Sequence, residues 1–437
     1  MTTKPAGRLP FTPPFFYGWV VLGVCVVAAG VASTASNVFT SSMVLSITGE
    51  LGWSRTDLTG VVTLATMLVG LAAPLFGRLV DRFGSRALMP VGALAFGAGM
   101  FIISAMDSLW QFYVGYILAR AVGGAGLTGV VAQTAIVNWF IRMRGRTLGI
   151  LSMALPLTQS VLVPVGQALV VLGGWRMVYQ IMAVAALLLA LVPALLFMRR
   201  RPEDVGLLPD GGEASAPAAG GQARRPRSRE FSFRPREAAR TPAFWLMVAG
   251  QFCAIVSSGA ISFHLPLFWA EKGLPLAITA GTLSAFALAG GLSNGIWGVL
   301  SERMSERLLV MVVQTMAVGV CVAMLVFEGP VAALLLSAAY GVAGRGEGTL
   351  FNLLLANYFG RGHFGSISGL FQPFASVGLG LGPLLGSLGF DTTGGYQAAW
   401  MLFAALHLST VLIMLLVRTP ALPPRAQPPA APALAAG

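Results

Sequence analysis

Long apolar stretches dominate this sequence and leave few folds open to it. Twelve stretches of mostly apolar residues follow one another, and short polar segments separate them. A stretch of about 20 such residues is long enough to cross the hydrocarbon core of a bilayer. Inside lipid every backbone polar group must be satisfied within the protein, so each stretch is expected to be an α-helix. The sequence therefore predicts an all-α membrane protein with twelve transmembrane helices.

The predicted helices form two groups of six, joined by a long polar segment. The first group covers about 16–45, 57–79, 87–106, 110–138, 147–172 and 176–198. The second covers about 243–270, 277–300, 308–327, 331–357, 364–389 and 396–417. The resulting organisation is an N-terminal segment, a six-helix half, a linker, a second half and a tail, at 1–15, 16–198, 199–242, 243–417 and 418–437. The linker is rich in Pro, Gly, Ala and Arg and is predicted to be flexible, and the Pro- and Ala-rich tail is predicted to be disordered.

The charge distribution predicts how the chain sits in the membrane. The sequence is 56% hydrophobic and 10% charged with a net charge of +12, and most basic residues lie in alternate loops. Such a bias marks cytoplasmic loops rather than nucleic-acid binding. We expect a multi-pass protein of the inner (plasma) membrane with both termini in the cytoplasm, with the lipid bilayer and no nucleic acid among its partners.

A charged loop motif occurs twice in the chain. Residues 77–86 interrupt two apolar stretches with four charges, and residues 298–307 repeat the order Gly, Leu, acid, Arg, Arg. Two further stretches, at 138–140 and 174–179, also recur about 220 residues later. Repeats in parallel order predict two similar halves related by an axis along the membrane normal.

The first loop motif resembles the signature of the major facilitator superfamily, and residues 120–126 resemble the fourth-helix motif of the same family. The resemblance implies a twelve-helix fold with a gate latch that stabilises the outward-open state. The residues so implied, with the matching positions of the second copy, are Gly77, Asp81, Arg82, Arg86, Glu302 and Arg303. Independently, Gly77 permits close helix approach and Asp81 can face a helix N-terminus. The alternative is a charged loop that only sets topology.

Within that family, four stretches resemble the bacterial oxalate/formate antiporter and monocarboxylate transporter group. These are residues 17–19, 264–266, 359–361 and 390–396. The group commonly carries an Arg on the eighth helix that meets the substrate carboxylate, whereas here that position is Asn294. The resemblance implies a small organic anion, a mono- or dicarboxylate, as substrate.

Charged residues inside predicted spans are the main site candidates because burying a charge in lipid is costly. Arg120, Arg345 and Glu347 have this position. Residues two apart on a helix do not face each other, so Arg345 and Glu347 each need another partner or water. We expect Arg345 to bind the substrate and Glu347 to carry a proton or pair with another helix. Arg120 is either a second substrate contact or a structural hydrogen-bond hub.

Uncharged polar residues in the spans are weaker candidates. Asn294, Gln372 and Asn37 are predicted substrate contacts or interhelical hydrogen bonds. His264 is a candidate for proton coupling, with an interfacial structural role as the alternative, and His407 is predicted to be structural. The sequence contains no catalytic or metal-ligand constellation, so neither an enzyme nor a cofactor is expected.

The function expected is secondary active transport of a small organic anion by alternating access, coupled to proton symport or to exchange with a counter-anion. One alternative is export of a larger apolar compound, suggested by the absence of the eighth-helix Arg. A non-transporting membrane sensor is a further alternative. We expect the protein to act as a monomer.

Overall fold

A computed structural model describes residues 14–53, 55–211 and 232–421, and within these residues every regular element is a helix. We number the membrane helices α1–α12. In the first half they are α1 (Gly18–Ala32 and Asn37–Leu51), α2 (Arg55–Phe83), α3 (Ser85–Ser104), α4 (Leu109–Ile117 to Gly129–Trp139), and α5 and α6, which together run from Arg144 to Phe197. In the second they are α7 (Pro242–Glu271), α8 (Leu276–Leu300), α9 (Glu306–Val326), α10 (Pro330–Phe359), α11 (Phe364–Thr393) and α12 (Gln397–Leu416).

The lengths of these helices confirm the predicted fold class. Ten helical stretches among the described residues are long and apolar enough to cross a membrane. The longest, Arg144–Phe197, bends at Gly173 and Gly174, where the backbone leaves helical geometry and Gly174 has φ +76°. It therefore supplies both α5 and α6. With the thirty-residue helix Pro330–Phe359, which carries Arg345 and Glu347, the described residues contain twelve spans.

Three helices are irregular where the sequence predicted continuous spans, and one of them, α6, contains the π-helical segment Ala186–Leu191. The first helix is interrupted by the 3-10 turn Ser33–Ala35 and restarts at Asn37, with the Ser36 side chain accepting a hydrogen bond from the Phe39 N–H. The Ser33 and Thr34 hydroxyls donate to carbonyls one turn earlier, and such local bonds compete with the helical ladder. In α4, Leu118–Gly124 forms a π-helix. Irregular backbone of this kind is tolerated at membrane depth only where protein or a cavity surrounds it.

Each half has an aromatic interior and an apolar exterior. Trp139 and Trp175 are fully buried in the first half, and Trp269 and Trp400 are fully buried in the second. By contrast, large aliphatic side chains such as Leu71 and Leu384, each more than half exposed, cover the outside. An extended apolar exterior is what a lipid-facing surface requires.

The two halves meet where α2 packs on α11 and α5 packs on α8. A Cβ atom on Gly77 would lie 2.2 Å from the Gly365 carbonyl oxygen, and one on Gly298 would lie 2.4 Å from the Gly145 carbonyl oxygen. Only glycine allows the helix backbones to approach this closely. These contacts lie at the end of the bundle that carries both copies of the charged loop motif, which we call the motif end.

The ends of the linker are more ordered than the sequence predicted. Asp210 accepts hydrogen bonds from the backbone N–H groups of residues 141–143, and Glu203 pairs with Arg361 of the second half. The Phe233 N–H donates to the Phe359 carbonyl. The expectation of a flexible linker is therefore wrong for residues 200–211 and 232–241, because their polar groups bind the loops of the motif end. The rest of the linker, the 1–13 segment and most of the predicted tail lie outside the described residues.

Candidate functional site

The first loop motif contacts the start of α11 through Asp81. Its two carboxylate oxygens accept hydrogen bonds from the backbone N–H groups of Gly365 at 3.1 Å and Ser366 at 2.7 Å. A helix N-terminus carries unsatisfied N–H groups and a partial positive charge, so it stabilises a carboxylate at this position. The sequence placed Asp81 against a helix N-terminus, and the structure shows that this helix belongs to the other half.

The second copy of the motif makes the corresponding contact in reverse. Glu302, at the end of α8, accepts hydrogen bonds from the backbone N–H and the guanidinium of Arg146 near the start of α5, both at 3.1 Å. An acid from each half thus holds the first turn of a helix in the other half. Three motif arginines differ, since Arg82, Arg86 and Arg303 are exposed and make no hydrogen bond or ion pair within the described part of the chain.

A cavity of about 940 Å³ lies between the halves. Its lining reaches Pro164 on α5, which is 20 residues and therefore about 30 Å beyond the start of that helix at the motif end. The cavity thus occupies the middle and the far part of the bundle. At the motif end, the glycine contacts and the hydrogen bonds of Asp81 and Glu302 bring the halves together.

Arg345 supplies positive charge to this cavity. Its side chain is exposed there, with the guanidinium carbon 4.9 Å from the centre of the Phe286 ring, and its stem packs against Gly290, where a Cβ would lie 2.4 Å away. Across the described residues its guanidinium has no hydrogen bond or ion pair. The cation–π contact partly stabilises the charge but leaves its N–H donors available to a ligand.

Asn294 also lines the large cavity, as part of a polar cluster that joins three helices. The Thr349 hydroxyl contacts the Ser152 hydroxyl at 2.9 Å and the Asn294 side-chain oxygen at 3.2 Å. The cluster brings together α5, α8 and α10. It forms a neutral hydrogen-bonding floor on the motif-end side of Arg345.

A smaller cavity of about 180 Å³ adjoins the large one, sharing Thr128, Gly129 and Leu155 as lining residues. Arg120 and Gln372 line it. The Arg120 Nη1 donates to the Ala35 carbonyl at 2.7 Å, at the break in α1. This contact is of the kind that a structural role for Arg120 requires, and the arginine faces a cavity as well, so both alternatives for Arg120 stay predictions. The side chain of Asn37 lies outside the described part of the structure.

Glu347 points away from the cavities into the second half. It is 6% exposed and accepts a hydrogen bond from the Gln314 amide of α9 at 3.3 Å. The Gln314 oxygen accepts a hydrogen bond from the Nδ1–H of His407 on α12. Because Nδ1 carries the proton of the neutral ring, the His407 Nε2 is an acceptor, and it accepts from the Tyr340 hydroxyl with an O–N distance of 2.9 Å. These residues form a hydrogen-bond chain in which each donor points to the next residue, from Tyr340 through His407 and Gln314 to the Glu347 carboxylate.

Two members of this hydrogen-bond chain were not predicted from the sequence, namely Gln314 and Tyr340. His407 was predicted to be structural, and that stays a prediction. One signal was available for Tyr340, since it precedes Glu347 by seven residues, or two helical turns, and so shares its face of α10. Nothing in the sequence indicates that α9 and α12 place Gln314 and His407 beside that face.

His264 has two hydrogen-bond partners and lines neither cavity. Its Nε2 donates to the Pro383 carbonyl at 2.9 Å, so its Nδ1 accepts from the Tyr396 hydroxyl at 3.0 Å. Burial, followed by the carboxylates of Glu271 and Asp391, raises the pKa of Tyr396, which keeps that hydroxyl protonated as the donor. This arrangement matches the interfacial alternative for His264, and proton coupling through it stays a prediction.

Comparison with known proteins identifies the family to which this architecture belongs. The family model described as "Major Facilitator Superfamily" matches residues 25–375 and 273–436. Monocarboxylate transporter 3 of Mus musculus is 34% identical over 165 residues, which are 37% of this chain and 32% of that protein. The probable L-galactonate transporter of Escherichia coli (strain K12) is 28% identical over 162 residues, 36% of this chain and 34% of that protein. The matched region thus spans about a third of each relative.

Solved structures show the same fold over almost the whole chain. The transporter FucP, crystallised in the outward conformation, superposes with a TM-score of 0.72 at 14% identity, covering 92% of this chain and 99% of FucP. The human organic anion transporter MFSD10 superposes with a TM-score of 0.67 at 14% identity, covering 92% of this chain and 100% of MFSD10. The family match extends over most of the sequence and agrees with the two six-helix halves and the repeated loop motif. The chain belongs to the Major Facilitator Superfamily, and in sequence it resembles the monocarboxylate transporter group.

Proposed function

We propose that the protein is a secondary active transporter of a small organic anion, a mono- or dicarboxylate. The observation that carries this proposal is the Arg345 guanidinium, which lines the large cavity and makes no hydrogen bond or ion pair among the described residues. A carboxylate matches the planar donor fork of a guanidinium with two charge-assisted hydrogen bonds. Binding of a carboxylate would neutralise a charge that is otherwise costly at this depth.

The comparisons support an organic anion as the substrate class. The relatives in sequence are named for monocarboxylates and for L-galactonate, both of which carry a carboxylate. Asn294 replaces the arginine that the resembling group places on α8, and Arg345 on α10 supplies the positive charge instead. Both residues line one cavity. A positive charge on α10 can therefore take the place of one on α8 and bind the same class of substrate.

The closed motif end indicates one state of an alternating-access cycle. The positive-inside bias of the loops makes the motif end cytoplasmic, with both termini inside, so the cavity is open toward the outside of the cell membrane. Release to the inside requires the Asp81 and Glu302 contacts to break and the far ends of the halves to close. We assign to these acids, with Gly77 and its counterpart Gly298, the role of a latch for the outward-facing state.

Coupling to a proton is proposed at Glu347. Its carboxylate lies in a membrane helix and accepts a hydrogen bond from the Gln314 amide, whose oxygen in turn accepts from His407. Glu347 also shares α10 with the substrate arginine. Exchange with a counter-anion is the alternative driving reaction, and it requires no titrating group.

Uptake of radiolabelled carboxylates into proteoliposomes tests the proposed function. The wild type is expected to show saturable uptake that Arg345→Gln abolishes, while Arg418→Gln, a matched change at an exposed arginine beyond α12, leaves it intact. A sensor would bind without flux. An exporter of larger apolar compounds would transport those compounds in preference to carboxylates, and its transport would not depend on Arg345.

A further inference from the structure

The smaller cavity is built as an anion site of its own, around Arg120. The Nε of Arg120 is buried without a hydrogen-bond partner. Among the described residues, the single bond from Nη1 to the Ala35 carbonyl is the only one its guanidinium makes. A buried, unpartnered donor of a charged group is costly to leave unsatisfied. Arg120 lines this cavity and is partly exposed, so a ligand oxygen in the cavity can pair with the guanidinium and offset that cost.

The break in α1 adds to the positive character of the same cavity. Ser36, which lines the cavity, is the N-cap of the half-helix Asn37–Leu51. The N-terminus of a 15-residue helix therefore lies beside the cavity that Arg120 faces. Helix N-termini that interrupt a membrane helix bind anionic groups in this way.

The two cavities together carry two positive charges and no negative one. Their lining residues include Arg120 and Arg345 and contain no Asp or Glu. Arg120 comes from α4 in the first half and Arg345 from α10 in the second, and the cavities adjoin at Thr128, Gly129 and Leu155. A single ligand extending through this junction could therefore meet both charges.

We propose that the substrate is a dianion with a carboxylate at each end, one bound by Arg345 and the other by Arg120 at the break in α1. This inference rests on the proposed function and narrows its substrate class. A ligand held by both halves at once contributes binding energy only while the two arginines are suitably spaced. Substrate length, and not charge alone, is therefore expected to set specificity.

The test compares monocarboxylates and dicarboxylates of matched chain length, namely propionate, butyrate and valerate against malonate, succinate and glutarate. Binding is measured by intrinsic tryptophan fluorescence of the purified full-length protein at pH 7.5, where these diacids are dianions. We expect at least one diacid to bind about tenfold or more tightly than its monoacid, since a second charge-assisted contact is worth at least that factor. Arg120→Gln should remove this preference by lowering the affinity for the diacid to that for the matched monoacid.

Because Arg120 also binds the Ala35 carbonyl, Arg120→Gln requires a companion variant. Gln372→Glu places a negative charge in the small cavity without removing that bond, and it should also abolish the diacid preference. Equal binding of monoacids and diacids by the wild type overturns the dianion site, as does a preference that survives Gln372→Glu. The proposed function fails separately, if no carboxylate of either series binds in a manner that depends on Arg345.

Discussion

Replacing Asp81 by Asn tests whether the motif-end latch controls which face of the protein is open. Asp81 accepts two backbone hydrogen bonds at the start of α11, one through each oxygen. Asparagine has a single acceptor oxygen and no charge, so the variant loses at least one charge-assisted bond and the attraction to the helix N-terminus. Such a bond contributes about 1.5–3 kcal/mol, and a net loss of about 2 kcal/mol changes an equilibrium about 30-fold.

The expected result is a rise of about 30-fold in the ratio of motif-end-open to motif-end-closed protein. Electron–electron distance measurements between spin labels at the exposed positions Arg86 and Ser305, one in each half, report this ratio directly. Asp107→Asn is the matched control, since Asp107 pairs with Arg176 inside the first half. An unchanged distance distribution in a folded Asp81→Asn protein would refute the latch.

Three further predictions concern packing, coupling and the linker. Gly77→Ala places a methyl group 2.2 Å from the Gly365 carbonyl oxygen and should lower the stability of the motif-end-closed state by about 1–3 kcal/mol, which is measured as a fall in Tm. The control is Gly319→Ala, whose added Cβ has no neighbour within 4 Å and which should change Tm little. Glu347→Gln should retain anion exchange in proteoliposomes and abolish uptake driven by a proton gradient; retained proton-driven uptake would exclude Glu347 as the coupling site. Asp210→Ala should detach the linker from the 141–143 loop and speed tryptic cleavage within residues 199–241, and an unchanged cleavage rate would show that Asp210 does not hold the linker.

Span length and charge placement determine most of what the sequence could predict. An apolar stretch of about 20 residues has one stable solution in lipid, so the bounds of α2 or α7 were predicted within a few residues. The break at Ser33–Ala35 was not predicted, because Ser and Thr are tolerated in membrane helices and their local bonds leave no mark in hydropathy. The linker contacts were missed because Asp210 and Glu203 find their partners only once loops distant in sequence are brought to one end.

The candidate site was predicted only in part for the same reason. Arg120 and Arg345 stand out because a charge inside an apolar stretch is rare, and the structure places both at cavities between the halves. The sequence does not reveal that the cavities adjoin. The chain from Tyr340 to Glu347 depends on three helices meeting, and periodicity within each helix carries no information about which neighbour it will face.

Equilibrium binding to Arg345 variants is the most direct test of the central claim that this residue binds the substrate anion. A carboxylate identified by thermal shift of the wild type is titrated into wild type, Arg345→Lys and Arg345→Gln, with folding checked by Tm in each case. The account predicts that Arg345→Lys, which keeps a point charge but loses the planar fork, binds more weakly than wild type. It also predicts that Arg345→Gln loses the equivalent of about two charge-assisted bonds, or at least about 100-fold in affinity. Wild-type affinity in a folded Arg345→Gln protein would contradict it.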